Sequence, residues 1–388
     1  MSNAPTYHID LAAFWSDPYD DLARMRKEVP IAYVPELDAT LLTRRDEIFR
    51  QEKRIDVFSS LQPGGLMSKL MGENMMRKDG DAHMAERKAI FPTVSPRTVR
   101  DVWKAQFEEA TRGVLDEISA KGQGDLVRDF AMPVSAHALR SITGLTNMHF
   151  AEMDRVSQGM IDGCSNFAGV PAVEANCNDC TASIDRHIDE RIAPLTAHPD
   201  LSLLAVSMKA GMPMPQIRAN IKLAISGGQN EPRDAISGAI ATLLEHPDQL
   251  QMALNGDVSW LAVFEEYARW MSPIGMSPRR IAKQDTIEGV TFEPEDRAFL
   301  MFGSANRDEA IFKHPERFDI TRDNGPAISF GAGPHFCAGA WASRSLIAEV
   351  ALPMFFERFK NIELTAPVTY GGWAFRGPLA VHAKWLVQ

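Results

Sequence analysis

Among the 388 residues, the stretch whose types and spacing could do chemistry most clearly is Phe330-Gly331-Ala332-Gly333-Pro334-His335-Phe336-Cys337-Ala338-Gly339. A single cysteine stands between glycines, directly ahead of an amphipathic helical pattern. A thiolate suits that position, because the first N–H groups of a helix and the positive end of its dipole stabilise anionic sulfur. The glycines would let the main chain approach a flat cofactor closely. Local chemistry leaves a second reading equally open, a buried cysteine in a tight turn.

Four further constellations carry polar groups at telling spacings. Ile217, Ile221, Ala224 and Ile225 repeat at helical intervals, as do Ile236, Ile240, Leu243 and Leu244, yet Gly227-Gly228-Gln229-Asn230-Glu231-Pro232-Arg233-Asp234 lies between them. Pro232 has no N–H and would clash with the carbonyl four residues back, so the pattern predicts a helix opened at Gly228. Two helices joined by a polar turn is the plainer alternative. Glu266 and Arg269 stand at i and i+3, and His83 and Arg87 at i and i+4; taken alone, either pair is more often a solvated helix face. Cys177 and Cys180 form a Cys-x-x-Cys with no second pair behind it, which supports a zinc site only weakly.

These residues need elements to hold them. Asp17-Pro18-Tyr19 opens a helical pattern through Leu22, Met25 and Val29, ended by Pro30, and Ile31 to Val34 with Thr40 to Thr43 reads as a hairpin. Residues 58 to 80, rich in glycine, serine and methionine, read as a long adaptable loop. Helical spacing then dominates near 81 to 91, 97 to 120, 132 to 143, 148 to 163, 174 to 196 and 216 to 247. Short strands are expected near 280 to 303, a last helix from about Ala340 to Phe359, and a closing hairpin between 361 and 388. The expected class is mainly α with minor sheet. No internal repeat or linker interrupts the chain.

Composition narrows the function. Hydrophobic residues make up 45% and charged residues 24%, ordinary values that speak against disorder and against a disulfide scaffold. A net charge of −10 argues against a nucleic-acid binder relying on phosphate neutralisation. The first ten residues carry no signal-peptide pattern and no run is apolar enough to span a bilayer, so no membrane is expected and the cytoplasm is the default location.

The loop pattern Phe-x-x-Gly-x-x-x-Cys-x-Gly, matched by Phe330, Gly333, Cys337 and Gly339, resembles the haem-binding loop of the cytochrome P450 family. Glu266-Tyr267-Ala268-Arg269, about 70 residues earlier, resembles that family's Glu-x-x-Arg, and His83-Met84-Ala85-Glu86-Arg87 its His-x-x-x-Arg. The resemblance runs over essentially the whole chain. It implies a single domain, residues 1–388, with a helix-rich triangular prism and small β-sheets at one side. It implies haem b, iron protoporphyrin IX, with Cys337 as axial thiolate and Phe330 and Gly331 around the sulfur. His83 and Arg87 would meet one haem propionate, Arg280 the other, and His335 would also reach a propionate. Arg317 in Pro315-Glu316-Arg317-Phe318 would complete the Glu266–Arg269 group. Thiolate donation would favour O–O cleavage, so the implied activity is a monooxygenase using O2.

The chain departs from the family where a helix crosses the haem. A similar glycine-rich kink normally carries an acid followed by an alcohol; here Asn230 holds the acid position and Glu231 the alcohol position. Glu231, desolvated and shifted towards its protonated form, would supply the proton, with Asn230 orienting water. The Gln-Asn-Glu-Pro run, Ser272-Pro273-Ile274 and Phe375-Arg376-Gly377-Pro378 look like bacterial enzymes that O-demethylate guaiacol and related methoxyarenes. By that resemblance the pocket would be lined by Phe167, Ile225, Gly228, Ile274, Met276 and Phe375, plus residues of the 58 to 80 loop, an apolar and aromatic wall suited to a small flat substrate. A terpene or fatty-acid hydroxylase, and a peroxide-driven peroxygenase, are the alternatives.

With no flavin, nicotinamide or iron–sulfur motif in the sequence, electrons would come from a separate ferredoxin or a flavin/iron–sulfur reductase. Residues 77 to 104 are locally basic through Arg77, Lys78, Arg87, Lys88, Arg97, Arg100 and Lys104, a face that would attract an acidic partner. A solvated helical surface is the equal alternative.

Overall fold

The computed structural model describes residues 2–166 and 169–387. Contacts divide the chain into two compact units. One contains residues 1–62, 238–337 and 367–379; the other contains residues 63–237, 338–366 and 380–388.

The first unit is built on a five-stranded sheet ordered Ile31–Val34, Ala39–Leu42, Arg297–Leu300, Ser277–Ile281, Phe58–Ser59. The expected opening helix is Tyr19–Glu28, with Asp20 and Asp21 in its first turn and Arg26 and Lys27 in its last, each complementing the helix dipole. The first two strands pair antiparallel, Ile31 opposite Leu42, and the second runs parallel to Arg297–Leu300, Thr40 beside Ala298. Every side chain of Ala39–Leu42 is buried, as befits a strand flanked on both edges and covered on both faces. Leu41, Leu42, Phe58, Phe292 and Leu300 form the centre of this core. The helix Trp260–Met271 brings Glu266 and Arg269 inward.

The second unit is helical, with a small sheet of Gln123–Asp125, His382–Val387 and Phe359–Leu364. Its helices Gly80–Val94, Lys104–Ser119, Met132–Thr143, Phe150–Cys164, Pro171–Ala197 and Met214–Ser226 fall where the periodicity places them. On the long helix Pro171–Ala197, Cys177, Cys180, Ile184, Ile188 and Leu195 form one buried stripe. A Cβ added at Gly159 would lie 2.4 Å from the Cys180 sulfur, and one at Gly163 would lie 2.6 Å from that of Cys177. The Cys-x-x-Cys is therefore a pair of small packing knobs seated on the glycines of the neighbouring helix. Among the described residues no group of three His, Cys, Asp or Glu side chains is arranged to hold a metal ion.

Three expectations are corrected. Residues 58 to 80 are not one loop: a strand at Phe58–Ser59, a helix at Leu66–Met71 and a 3-10 turn at Met75–Arg77 fall inside them. Glycine and methionine content masked short elements fixed by packing. The tail is not one hairpin either, because Thr369–Gly371 pairs with Gly377–Ala380 while His382–Val387 joins the strands from 123 and 359. Short helices at Leu203–Lys209 and Pro247–Asn255 are additional to those expected.

Candidate functional site

The cysteine loop is shaped by its glycines and braced from the start of the chain. Gly331 and Gly333 adopt φ of +70° and +63°, a left-handed conformation that β-carbons disfavour. A Cβ at Gly333 would also come within 2.8 Å of the Glu52 carbonyl oxygen. The Ala332 N–H donates to the Glu52 carboxylate at 3.3 Å, and that buried carboxylate is ion-paired with Arg279. The Cys337 N–H donates to the Phe330 carbonyl at 3.0 Å and the Phe336 N–H to Gly333 at 3.1 Å, closing the loop on itself. Phe330 packs edge-on against Phe264 at 6.2 Å between centroids and tilts against Phe336 at 6.4 Å. Cys337 is left half-buried, a thiol two residues ahead of Gly339, from which the helix beginning at Ala340 departs. Glu52 and Arg279 are not marked by any pattern in the sequence, since no local signal links a loop to a carboxylate 280 residues away.

Glu266 and Arg269 are both fully buried and share two hydrogen bonds of 2.7 and 2.8 Å. Arg269 also donates to the carbonyls of Asn306, Pro315 and Arg317 at 2.8 to 3.1 Å, while Glu266 accepts from the Asp319 N–H at 2.8 Å. The expected third cation is corrected. The Arg317 side chain is 71% exposed and pairs with Glu316, offering the group only its carbonyl. Arg322 reaches Glu266 instead, at 3.3 Å. Five residues further along the chain, the main chain has turned inward through Phe318 and Ile320, both buried, and carries Arg322 with it.

His83 is buried on the helix Gly80–Val94, and Arg87 follows one turn later, half-buried. Glu86, on the same helix, pairs with Lys78 and accepts from Asn220 at 2.7 Å, which fixes the helix's rotation. Arg280 lies on the strand Ser277–Ile281, donating to the Leu61 carbonyl at 2.9 Å and pairing with Glu295. His335 is half-buried at the end of the turn Gly333–His335. The basic stretch from 77 to 104 is partly neutralised: Lys78 pairs with Glu86, Arg97 and Arg100 share Asp101, and Lys104 pairs with Glu349.

The helix break expected at Gly228 is present and is supported on both sides. Met214–Ser226 ends there and Asn230–Glu245 begins beyond it, with Pro232 in the first turn, where a missing N–H costs nothing. A Cβ at Gly228 would stand 2.5 Å from the Ala224 carbonyl oxygen and 3.1 Å from Leu139. The interruption frees carbonyls, and serines from neighbouring helices cap them. Ser157 donates to Ile225 at 3.1 Å and Ser135 to Gln229 at 2.8 Å. Asn230 is anchored rather than aimed at water: its amide oxygen faces Ser157 at 3.2 Å and its amide nitrogen donates to Gln158 at 3.1 Å. The Glu231 carboxylate differs sharply, since neither oxygen has a hydrogen-bond partner among the described residues and both are out of water. Burial pushes its carboxyl up to about 7.

Of the expected pocket residues, Ile225 and Gly228 lie at the break. Ile274 and Phe375 meet in an antiparallel bridge, with Met276 two residues beyond and half-buried. Phe167 lies outside the described residues.

A haem suits the cysteine loop, which offers a half-buried thiol in a cradle that a Cβ would fill. Comparison with known proteins agrees. The Cytochrome P450 family profile matches residues 240–366. Cytochrome P450 107B1 of Saccharopolyspora erythraea is 28% identical, over 94% of this chain and 93% of its own. Linalool 8-monooxygenase of Pseudomonas putida is 26% identical over 89% and 90%. The crystal structure of P450BioI in complex with hexadec-9Z-enoic acid ligated acyl carrier protein superposes with a TM-score of 0.88 at 24% identity, covering 97% of this chain and all of that one. The fold is thus that of the haem-thiolate monooxygenases, mainly α with small separate sheets. The chain belongs to the cytochrome P450 family: it is an oxidoreductase whose cofactor is haem and whose reaction draws on O2 and a redox partner.

Proposed function

We propose that this monooxygenase hydroxylates the methoxy carbon of small methoxy-substituted arenes, so that the resulting hemiacetal collapses to a phenol and formaldehyde. The observation that supports the reading is the antiparallel backbone bridge between Ile274 and Phe375, which sets an aliphatic and an aromatic side chain next to each other. Such a pair would suit a flat apolar ring. The haem would be held by Cys337, with His83, Arg87, Arg280 and His335 at its propionates, all within one catalytic domain. Bound in this way, it supplies O2 activation assisted by the electron-donating thiolate.

The chain's own residues do the rest. Glu231 holds a proton at its carboxyl near neutral pH and gives it up where oxygen is reduced, the task of a buried acid poised close to the working pH. Gly228 lets the chain pass close to the Ala224 carbonyl, where a side chain would not fit, and Asn230 keeps the start of the second helix in place through Ser157 and Gln158. Electrons come from a separate ferredoxin or flavin/iron–sulfur reductase docking in the cytoplasm on the basic stretch. Lys88, exposed beside Met84 and Phe91, is the cation of that stretch to test. Lys88→Glu slows reduction by the partner several-fold at low salt; an unchanged rate removes that surface from the proposal.

An absorption titration of the ferric protein tests the substrate class. A methoxyphenol should move the Soret band to its high-spin position. A shift by monoterpenes or fatty acids alone would replace the demethylase reading with the second one, which the relatives named for linalool and for a hexadecenoyl carrier protein favour. Product formed with peroxide alone, compared with the reductase-driven rate, tests the peroxygenase reading.

A further inference from the structure

The turn that carries Phe375 is held by a buried cation that has no ionic partner among the described residues. Thr369–Gly371 and Gly377–Ala380 form a two-stranded sheet whose connection contains Gly372, Trp373, Ala374, Phe375 and Arg376. Phe375 is 39% exposed, whereas Arg376 beside it is only 6% exposed. The Arg376 Nη1 donates at 2.9 Å to the carbonyl of Gly372, across the turn, and at 2.9 Å to that of Ser16, the last residue of the helix Leu11–Ser16. Its Nε is buried with no partner, and among the described residues no carboxylate pairs with it. The remaining support is the ring of Tyr19, 5.4 Å from the guanidinium carbon.

A buried guanidinium without a counter-ion is costly, so its contacts indicate what it secures. They close the turn and tie it to the N-terminal helix. The backbone leaves little slack. Gly372 has φ +93°, and a Cβ there would fall 1.7 Å from the Phe375 carbonyl oxygen. A Cβ at Gly275 would fall 1.9 Å from the Trp373 carbonyl oxygen, and the Gly275 N–H donates to Ala374 at 2.8 Å. On the other side, the Gly372 N–H donates to the Trp15 carbonyl at 2.9 Å, and a Cβ at Gly371 would meet the Trp15 ring at 2.4 Å.

We propose that Arg376 is a positioning residue that, by clamping this turn to the N-terminal helix, fixes the Phe375 ring against Ile274 and so sets substrate size selectivity. This rests on the reading of Phe375 as pocket wall. Loosening the clamp lets the ring retreat, which weakens a small ligand that needs the wall and spares a longer one that does not.

The test compares the holoenzyme with Arg376→Met, Arg376→Lys and Phe375→Ala, titrating each with 2-methoxyphenol and with a propyl-substituted methoxyphenol by the Soret shift. Arg376→Met should weaken 2-methoxyphenol roughly tenfold and the propyl compound less than about threefold, with Lys, which keeps a donor, restoring most of the loss. Equal weakening of both ligands without rescue by Lys indicates general loosening and overturns the proposal. So does unchanged selectivity in Arg376→Met when Phe375→Ala alters it. If Phe375→Ala alters neither ligand, the pocket reading itself falls and the proposal with it. Should Arg376→Met fail to take up haem, Arg376→Gln carries the same comparison.

Discussion

Glu266 and Glu231 are both glutamates on helices whose carboxylates lie out of water, and the chain treats them in opposite ways. Glu266 receives both forks of Arg269, the Nε of Arg322 and a backbone N–H from Asp319. Glu231 receives nothing among the described residues. A carboxylate with that many donors serves to join a helix to a loop. A buried carboxyl with none stays protonated unless something draws the proton away. The difference separates a group that holds the structure from one poised to exchange a proton.

Breaking the satisfied site should have the largest effect. Glu266→Gln leaves the Arg269 guanidinium buried without its counter-charge, so stability falls by about 3–5 kcal/mol, read from the urea midpoint, and haem uptake falls with it. Retention of wild-type stability would remove the structural role.

The orphan site predicts the opposite behaviour. The folded-state pKa of Glu231, about 7, lies above the ordinary carboxylate value. Its contribution to stability is therefore whole below that ordinary value and lost as pH rises through about 7. The loss amounts to roughly 3 kcal/mol. Glu231→Gln should abolish that slope, leaving the variant more stable than wild type relative to the pH 5 reference when both are unfolded by urea at pH 8. The same variant should lower product formed per reduced cofactor several-fold. Unchanged coupling would reject the proton role even if the stability slope disappears.

Smaller changes sharpen the contrast. Gly228→Ala drives a methyl towards the Ala224 carbonyl, at a cost of about 1–3 kcal/mol in thermal unfolding. Arg317→Ala should stay within about 0.5 kcal/mol of wild type, while Arg322→Met costs more because it removes a donor from buried Glu266. The reverse order in a denaturant series would reinstate Arg317 as the third member.

Much of the architecture was legible because it is encoded locally. Apolar spacing marks the helices around Leu22 and Met25 and around Cys177 and Ile184, and the hairpin from Ile31 to Leu42 follows short runs of strand-forming residues after a proline stop. The break at Gly228 was legible too, since proline chemistry acts within four residues. The short elements between 58 and 80 and the partners of the tail strands were not, because their stability comes from neighbours distant in sequence.

The same division holds at the site. The sequence by itself determined that a cysteine follows a glycine loop at Phe330–Gly339, that Glu266 and Arg269 share a helix face, and that Asn230 and Glu231 stand where the resemblance leads one to expect an acid and an alcohol. Tertiary structure decided that Glu52 and Arg279 brace the loop, that Arg322 and not Arg317 completes the buried ion group, and that Ser135 and Ser157 cap the break. It also decided that Glu231 has no hydrogen-bond partner among the described residues while Asn230 is tethered. Spacing along one helix sets which side chains share a face. Whether a buried polar group is satisfied depends on donors brought from elsewhere in the chain, and only folding brings them within hydrogen-bonding distance.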